Sequence, residues 1–335
     1  AVVMAFGVVS LATVDENGNI FGNTLTAEAT TEKTATKMPD NAITFSDTYS
    51  DELEIIPAAS KNGMYYYNNK VIYFYSVANN TFRKIYDYND KGRNKDTVIC
   101  VYADAEKGKF YIVWLDSSTN KKNIYYLDEF DVKSEKFVST KDISSFVGSN
   151  TLSYPESLGV DSQNRYYLAV YDRNQKKYVI NLISANMKLL SSAVMDDAVY
   201  KFSGFDKTNG NFYFEGYTNW VYWGFDHDTQ SLKCGNVKNN KISVSDHYVD
   251  ILYQQYYTPH YDNAVMLTNG NFVWTSSMSS TVRVLDSAKF DINDKDSSLP
   301  LKFSVSRSGF EIEDRYADSI GTRTVYNEAT GDYLM

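Results

Sequence analysis

The segment Asp206–Leu232, DKTNGNFYFEGYTNWVYWGFDHDTQSL, decides how this chain is read. Asn209-Gly210 supplies the positive φ that a tight hairpin turn requires. The residues after it alternate roughly by twos, with Phe212 and Phe214 on one face and Tyr213 and Glu215 on the other, as a strand does. A second aromatic run, Trp220-Val221-Tyr222-Trp223, follows Thr218-Asn219 and reads as the next strand. A lone hairpin is marginal in water, so the pattern must recur if it is to fold.

It recurs six times. The copies are IPAASKNGMYYYN from Ile56, YADAEKGKFYIVW from Tyr102, GVDSQNRYYLAVY from Gly159, GFDKTNGNFYFEGY from Gly204, VMLTNGNFVWTS from Val265 and VYNEATGDYLM from Val325. Their turn residues, Gly63, Gly108, Asn164, Gly210, Gly270 and Gly331, recur at intervals of 45 to 61 residues. Each turn strand is followed by a third, as in KVIYFYSV, NIYYLDEFDV, KYVINLIS, NWVYWGFD and TVRVLD, and usually by a fourth, as in TFRKIYDY, KFVSTKDI and SLKCGNV. Four short antiparallel strands at this period describe the blades of an all-β propeller, with five complete blades and the start of a sixth. The sixth copy stops as its second strand begins, so further blades and domains are expected beyond it.

Composition narrows the class. A chain of 335 residues suffices for one large all-β body, and its 15% aromatic content, with 29 tyrosines, suits bulky sheet faces. A net charge of −9 argues against a nucleic-acid partner, which needs a concentrated basic face. No 18-residue apolar run offers a membrane span. Cys100, in the first strand of the second blade, and Cys234, assigned to the last strand of the fourth, fall in separate units and read as buried free thiols.

The segment AVVMAFGVVSLATV has the length and apolarity of a signal-peptide core, with small residues at Ser10 and Ala12 before the chain turns polar. Residues 1–12 are therefore read as a signal remnant, 13–50 as a disordered Thr/Ala/Glu-rich spacer containing TLTAEATTEKTATK, and 51–335 as the propeller. That places the protein outside the cell or on its surface. The run GFDKTNGNFYFEGYTNWVYWGFDHDTQSLKCGNV, with ISVSDHYVDILYQQYY after it, resembles the propeller region of exported surface proteins of Gram-positive anaerobes. The resemblance covers roughly residues 55–335. It implies fold and location, with bacterial immunoglobulin-like repeats or an attachment module often following, and it implies no residue roles.

There is no Gly-x-Ser-x-Gly elbow, Cys-x-x-Cys pair, His-Glu-x-x-His or phosphate-cradling glycine loop. The neighbours Asp226-His227-Asp228 and Asp246-His247 with Asp250, His260 and Asp262 match no zinc spacing, and the loops from Asp87 and Asp291 fail the EF-hand pattern. No metal, no cofactor and no catalytic residue is assigned. Asp104, Asp161 and Asp206 recur once per blade just before the turn, where a carboxylate caps the turn or, if brought to the axis, serves as acid or base in a glycosidase.

What breaks the repeat is the segment KNNKISVSDHYVDILYQQYYTPHYDN between the fourth and fifth blades. Its Tyr253, Tyr256, Tyr257, His260 and Tyr261, with Trp220 and Trp223 of the opening segment, form the candidate binding residues, because aromatic faces beside amides and carboxylates stack on sugars or accept a peptide. In a regular strand Tyr253 and Tyr257 share one face and Tyr256 takes the other. The expected function is a surface binding module or rigid spacer with a protein or polysaccharide partner. The rival is a glycoside hydrolase or polysaccharide lyase with carboxylates near the axis.

Overall fold

The computed structural model describes residues 13–14, 20–21, 54–57, 63–68, 70–76, 79, 81–89, 97–116, 123–148, 153–196, 198–199, 201–222, 225–250, 263–266, 271–275, 281–286, 301–306, 325–327 and 332–334. A two-residue ladder, β1 (Thr13–Val14) with β2 (Ile20–Phe21), falls within the stretch read as spacer. The rest is organised in sheets of antiparallel strands taken in chain order. The first holds β3 (Glu54–Pro57), β4 (Gly63–Asn68), β5 (Val71–Ser76) and β6 (Thr81–Asp87). The second holds β7 (Thr97–Asp104), β8 (Lys109–Asp116), β9 (Ile124–Asp131) and β10 (Lys136–Asp142), followed by a single helical turn, α1 (Ser144–Val147). The third holds β11 (Ser153–Val160), β12 (Tyr166–Asp172), β13 (Lys177–Ile183) and β14 (Leu189–Met195).

The fourth sheet holds β15 (Lys201–Phe205), β16 (Asn211–Tyr222), β17 (Phe225–Lys238) and β18 (Lys241–Asp250), and the fifth β19 (Asn263–Met266), β20 (Asn271–Thr275), β21 (Thr281–Asp286) and β22 (Leu301–Ser306). A two-stranded sixth pairs β23 (Val325–Asn327) with β24 (Asp332–Leu334). First strands stand side by side from β3 through β7, β11 and β15 to β19, and β23 returns against β3. Sheets arranged around one axis by their first strands make a β-propeller, as the repeat predicts. No helix among the described residues is long and apolar enough to cross a membrane.

The turns follow from backbone sterics. Gly108, Asn164 and Gly210 all sit between first and second strands at positive φ of 62°, 58° and 77°. Gly63 opens β4 itself, while Gly270 and Gly331 lie outside the described residues. Gly204 answers a different demand, because a Cβ there would stand 2.0 Å from Met266 Cβ, so only glycine lets β15 approach β19.

Three apolar clusters fill the junctions. Ile56, Tyr67 and Ile72 meet Phe110, Ile112 and Phe130 between the first and second sheets. Tyr111, Val113 and Leu127 meet Leu158, Tyr166 and Leu168 between the second and third. Tyr167, Ala169 and Ile180 meet Phe202, Phe212 and Phe214 between the third and fourth. Outer strands are irregular: β6, β10, β14, β18 and β22 each carry a register shift against their neighbour, which twists an edge away from further pairing.

The fourth blade corrects the strand division read from sequence. Thr218-Asn219 is no break, for β16 runs through it and pairs with β17 from Asn211↔Asn236 to Tyr222↔Phe225. NWVYWGFD is therefore split between two strands, and SLKCGNV belongs to the third strand. The fourth is β18, which takes KISVSDHYVD out of the supposed insertion. The signal for that hairpin is Asn239-Asn240, both at positive φ (52° and 59°), the conformation of the two-residue turns that match strand twist. Cys234 consequently lies in the third strand, buried, and Cys100 is only half-buried in β7; neither forms a disulfide.

Candidate functional site

The periodic carboxylates resolve first. Asp104 accepts the Lys107 backbone N–H at 2.9 Å and pairs with Lys107 Nζ at 3.2 Å. Asp206 accepts the backbone N–H and hydroxyl of Thr208 at 2.8 and 2.6 Å. Asp161 is the most engaged, taking backbone N–H groups of Gln163 and Arg165, the Arg165 Nε at 2.7 Å and the Tyr167 hydroxyl at 3.0 Å. All three cap the turns they precede. The same end of the axis is tied between blades, since Lys107 donates to the Asp161 carbonyl at 2.6 Å and Lys207 pairs with Glu106 at 2.5 Å.

Across the axis, Glu54 of β3 and Lys201 of β15 form an ion pair at 2.7 Å. Lys201 is also the register partner of Glu215, a buried carboxylate that accepts the Ser203 hydroxyl at 3.3 Å. Tyr102 of β7 packs edge-on against Phe205 of β15, with ring centroids 6.2 Å apart. Burial first, then the charges of Asp104 and Glu54, hold the Tyr102 hydroxyl above the ordinary tyrosine range. These contacts join first strands that are not ring neighbours.

A second cluster departs from the repeat. In the third blade Tyr154, Tyr171 and Tyr178 are register partners on β11, β12 and β13, so their rings meet as a ladder, edge-on for the first pair with centroids 5.6 Å apart and tilted for the second at 4.8 Å. Tyr171 and Tyr178 lie on the sheet face that carries Tyr167, Ala169 and Ile180 toward the fourth blade, Tyr154 also packs at the margin of the cluster between the second and third blades, and all three remain half-buried. The Arg173 guanidinium stands 5.3 Å from the Tyr154 ring centroid. Glu156 is the extra residue at the register shift between Pro155 and Ser157, a bulge that re-aims its side chain. Burial raises its carboxyl above the usual glutamate value, partly offset by a hydrogen bond from Tyr154. The Tyr178 hydroxyl is pushed up to about 12 by burial and then by Glu156.

The second blade shows what this position holds otherwise. There the shifted residue is Ile99, and the ladder is Thr97, Leu115 and Tyr125. Glu156 was not singled out in the sequence, although a Pro-Glu pair inside a strand of the first-strand type is the signal that would have found it. Of the aromatic residues expected to bind, Tyr253, Tyr256, Tyr257, His260, Tyr261 and Trp223 lie outside the described residues. Trp220 lies on β16 opposite His227 of β17, in the fourth sheet and not the sheet of the tyrosine ladder. Among the described residues no group of three metal-ligating side chains comes together.

Comparisons with known proteins concern the fold alone. No family model matches the chain, and no curated protein sequence matches it. Solved structures similar to it include a luciferin-regenerating enzyme at 10% identity, covering 76% of each chain with a TM-score of 0.45. A regucalcin from Agrobacterium tumefaciens, titled a calcium-binding protein, matches at 10% identity over 70% of each chain with a TM-score of 0.41. A bifunctional GH43-CE protein of Bacteroides eggerthii matches at 11% identity over 76% of this chain and 34% of its own, TM-score 0.41. At such values the likeness carries nothing about the site; the assignment to the β-propellers rests on the sheet order and the ring of first strands described above.

Proposed function

We propose that this protein is an exported, surface-associated β-propeller that acts as a binding module without catalysis. The observation that carries the reading is the use of Asp104, Asp161 and Asp206: the carboxylates best placed by periodicity for axial chemistry are spent on capping turns. Export is supported by the apolar run within residues 1–14 and the polar segment after it. The partner is a protein or polysaccharide, and the aromatic segment with Tyr253, Tyr256 and Tyr257 remains part of the proposed binding surface. Further domains in the full protein are part of the same proposal.

A second reading, a carbohydrate-active hydrolase or lyase, is favoured by one feature. A carboxyl whose pKa is raised by burial, as Glu156 has, is what a general acid requires. Incubation with a polysaccharide panel and measurement of reducing-sugar release separates the two. Binding without turnover supports the module, and turnover abolished by Glu156→Gln supports the enzyme.

A further inference from the structure

Resting on the binding-module reading, we infer that the corner formed by Tyr154, Glu156, Tyr171, Arg173 and Tyr178 of the third blade is a subsite for a neutral saccharide. Two features of the geometry converge on it. The tyrosines are aligned by register across three strands with edge-on and tilted ring contacts, yet each stays half-buried, so ring surface remains at the rim of the core that Tyr167, Ala169 and Ile180 otherwise close. Glu156 sits on a bulge rather than in the regular pleat, and neither the bulge residue Ile99 nor the ladder Thr97, Leu115, Tyr125 of the second blade reproduces this chemistry. The fourth blade answers the same positions with Ser203 at the bulge and Lys201 opposite Glu215, so a tyrosine ladder beside a bulge carboxylate is particular to the third.

Charge selects the ligand class. A cationic guest would meet Arg173, whose guanidinium already lies over Tyr154. An anionic guest would meet the half-buried carboxyl of Glu156. A neutral sugar suits both: its C–H faces pack on tyrosine rings, its hydroxyls donate to Glu156 and accept from Arg173, and no net charge is desolvated. The bulge and the tyrosine hydrogen bond hold Glu156 in place before the ligand arrives, which lowers the ordering cost of binding.

The test is titration calorimetry on the full chain with neutral β-1,4-linked oligomers of glucose, xylose, mannose and N-acetylglucosamine, beside a polyuronic acid and a basic peptide. Binding of at least one neutral oligomer is expected, with affinity falling about tenfold in Arg173→Ala and in Glu156→Gln, the loss of one charge-assisted hydrogen bond. Tyr171→Ala, which removes the middle ring of the ladder, should weaken binding by a similar factor. Arg173 is exposed, so its substitution keeps the test meaningful if ladder variants fail to fold. Binding of neutral oligomers that is unchanged in both charge variants overturns the subsite. Binding of the polyuronic acid or the peptide but of no neutral oligomer also overturns it while leaving the binding-module reading intact. Hydrolysis of a neutral oligomer would instead overturn the module and keep the subsite, provided that Arg173→Ala weakens binding of that oligomer.

Discussion

The second and third blades share one strand order and a capping aspartate before the first turn, yet they treat carboxylates in opposite ways. The second blade satisfies them: Asp128, fully buried, accepts from Tyr88 and Thr140 at 3.1 and 2.6 Å, Glu129 pairs with Lys109, and Glu135 holds Arg83 of the first blade through two bonds. Hydrogen bonds from Ser134 and from Arg83 hold the Asp131 and Glu135 carboxyls below their usual values. The third blade keeps Asp161 as a fully engaged cap but places Glu156 among tyrosines, where burial pushes its carboxyl upward. Positions that repeat are thus spent on building the wheel, and Glu156 stands where one blade departs from the next.

The comparison breaks most visibly if the shared architecture is not what holds both blades. Phe110, fully buried between the first two sheets, should cost about 3 to 5 kcal/mol on replacement by alanine, as should Phe212 between the third and fourth. Chemical denaturation checks this, and a loss below about 1 kcal/mol at either site would mean that the junctions are not the core. Asp161→Ala should follow at about 2 to 3 kcal/mol, because Arg165 and Tyr167 lose a partner inside a closed environment. Asp104→Ala should cost only about 1 kcal/mol, since it frees one turn N–H and a partly exposed lysine. Equal losses would show that the two caps are interchangeable.

These positions also show which parts of the structure were legible beforehand. Turn residues and capping aspartates were, because positive φ and side-chain capping are local demands that leave residue types behind: Gly108, Asn164 and Gly210 at the bends, Asp104, Asp161 and Asp206 before them. The fourth blade was misdivided because strand length is set by the partner, and nothing local in Thr218-Asn219 announces that β17 continues opposite it. Glu156 was missed for a related reason. A bulge is a property of two strands, and the alternation of β11 alone gives no sign that one residue lacks a partner. The pair Glu54 and Lys201 depends on the ring bringing the first and fourth blades together, which no spacing encodes.

Glu156 itself gives the next smaller effect, with an unusual sign. A carboxyl whose folded pKa lies above its unfolded one makes the charged form costly, so stability rises as pH falls through the folded value. Glu156→Gln should therefore raise the melting temperature at neutral pH, with the gain fading in acid as the wild-type carboxyl takes up its proton. A fall in melting temperature at neutral pH would show that Glu156 supports the fold, and would erase its contrast with the second blade.

The smallest effect comes from the other side of the comparison and has the opposite sign. Glu135 in the second blade accepts two bonds from Arg83 of the first, at 2.8 and 2.6 Å, and a third from Tyr65 at 3.2 Å. Its folded pKa is lowered from the usual 4.5, first by the arginine hydrogen bonds. A depressed carboxyl stabilises the fold above its unfolded pKa and loses that contribution as pH falls through the folded one. The side chains are 55% and 29% exposed, so solvent screening leaves the pair about 0.5 to 1 kcal/mol despite its two-pronged geometry. A double-mutant cycle of Arg83→Ala and Glu135→Ala, run by denaturation at neutral pH and again well below pH 4.5, should show a coupling of that size in the first condition and none in the second. Salt should weaken it in parallel. Coupling that survives acid would mean that Arg83 and Glu135 join the first and second blades here through contacts other than charge.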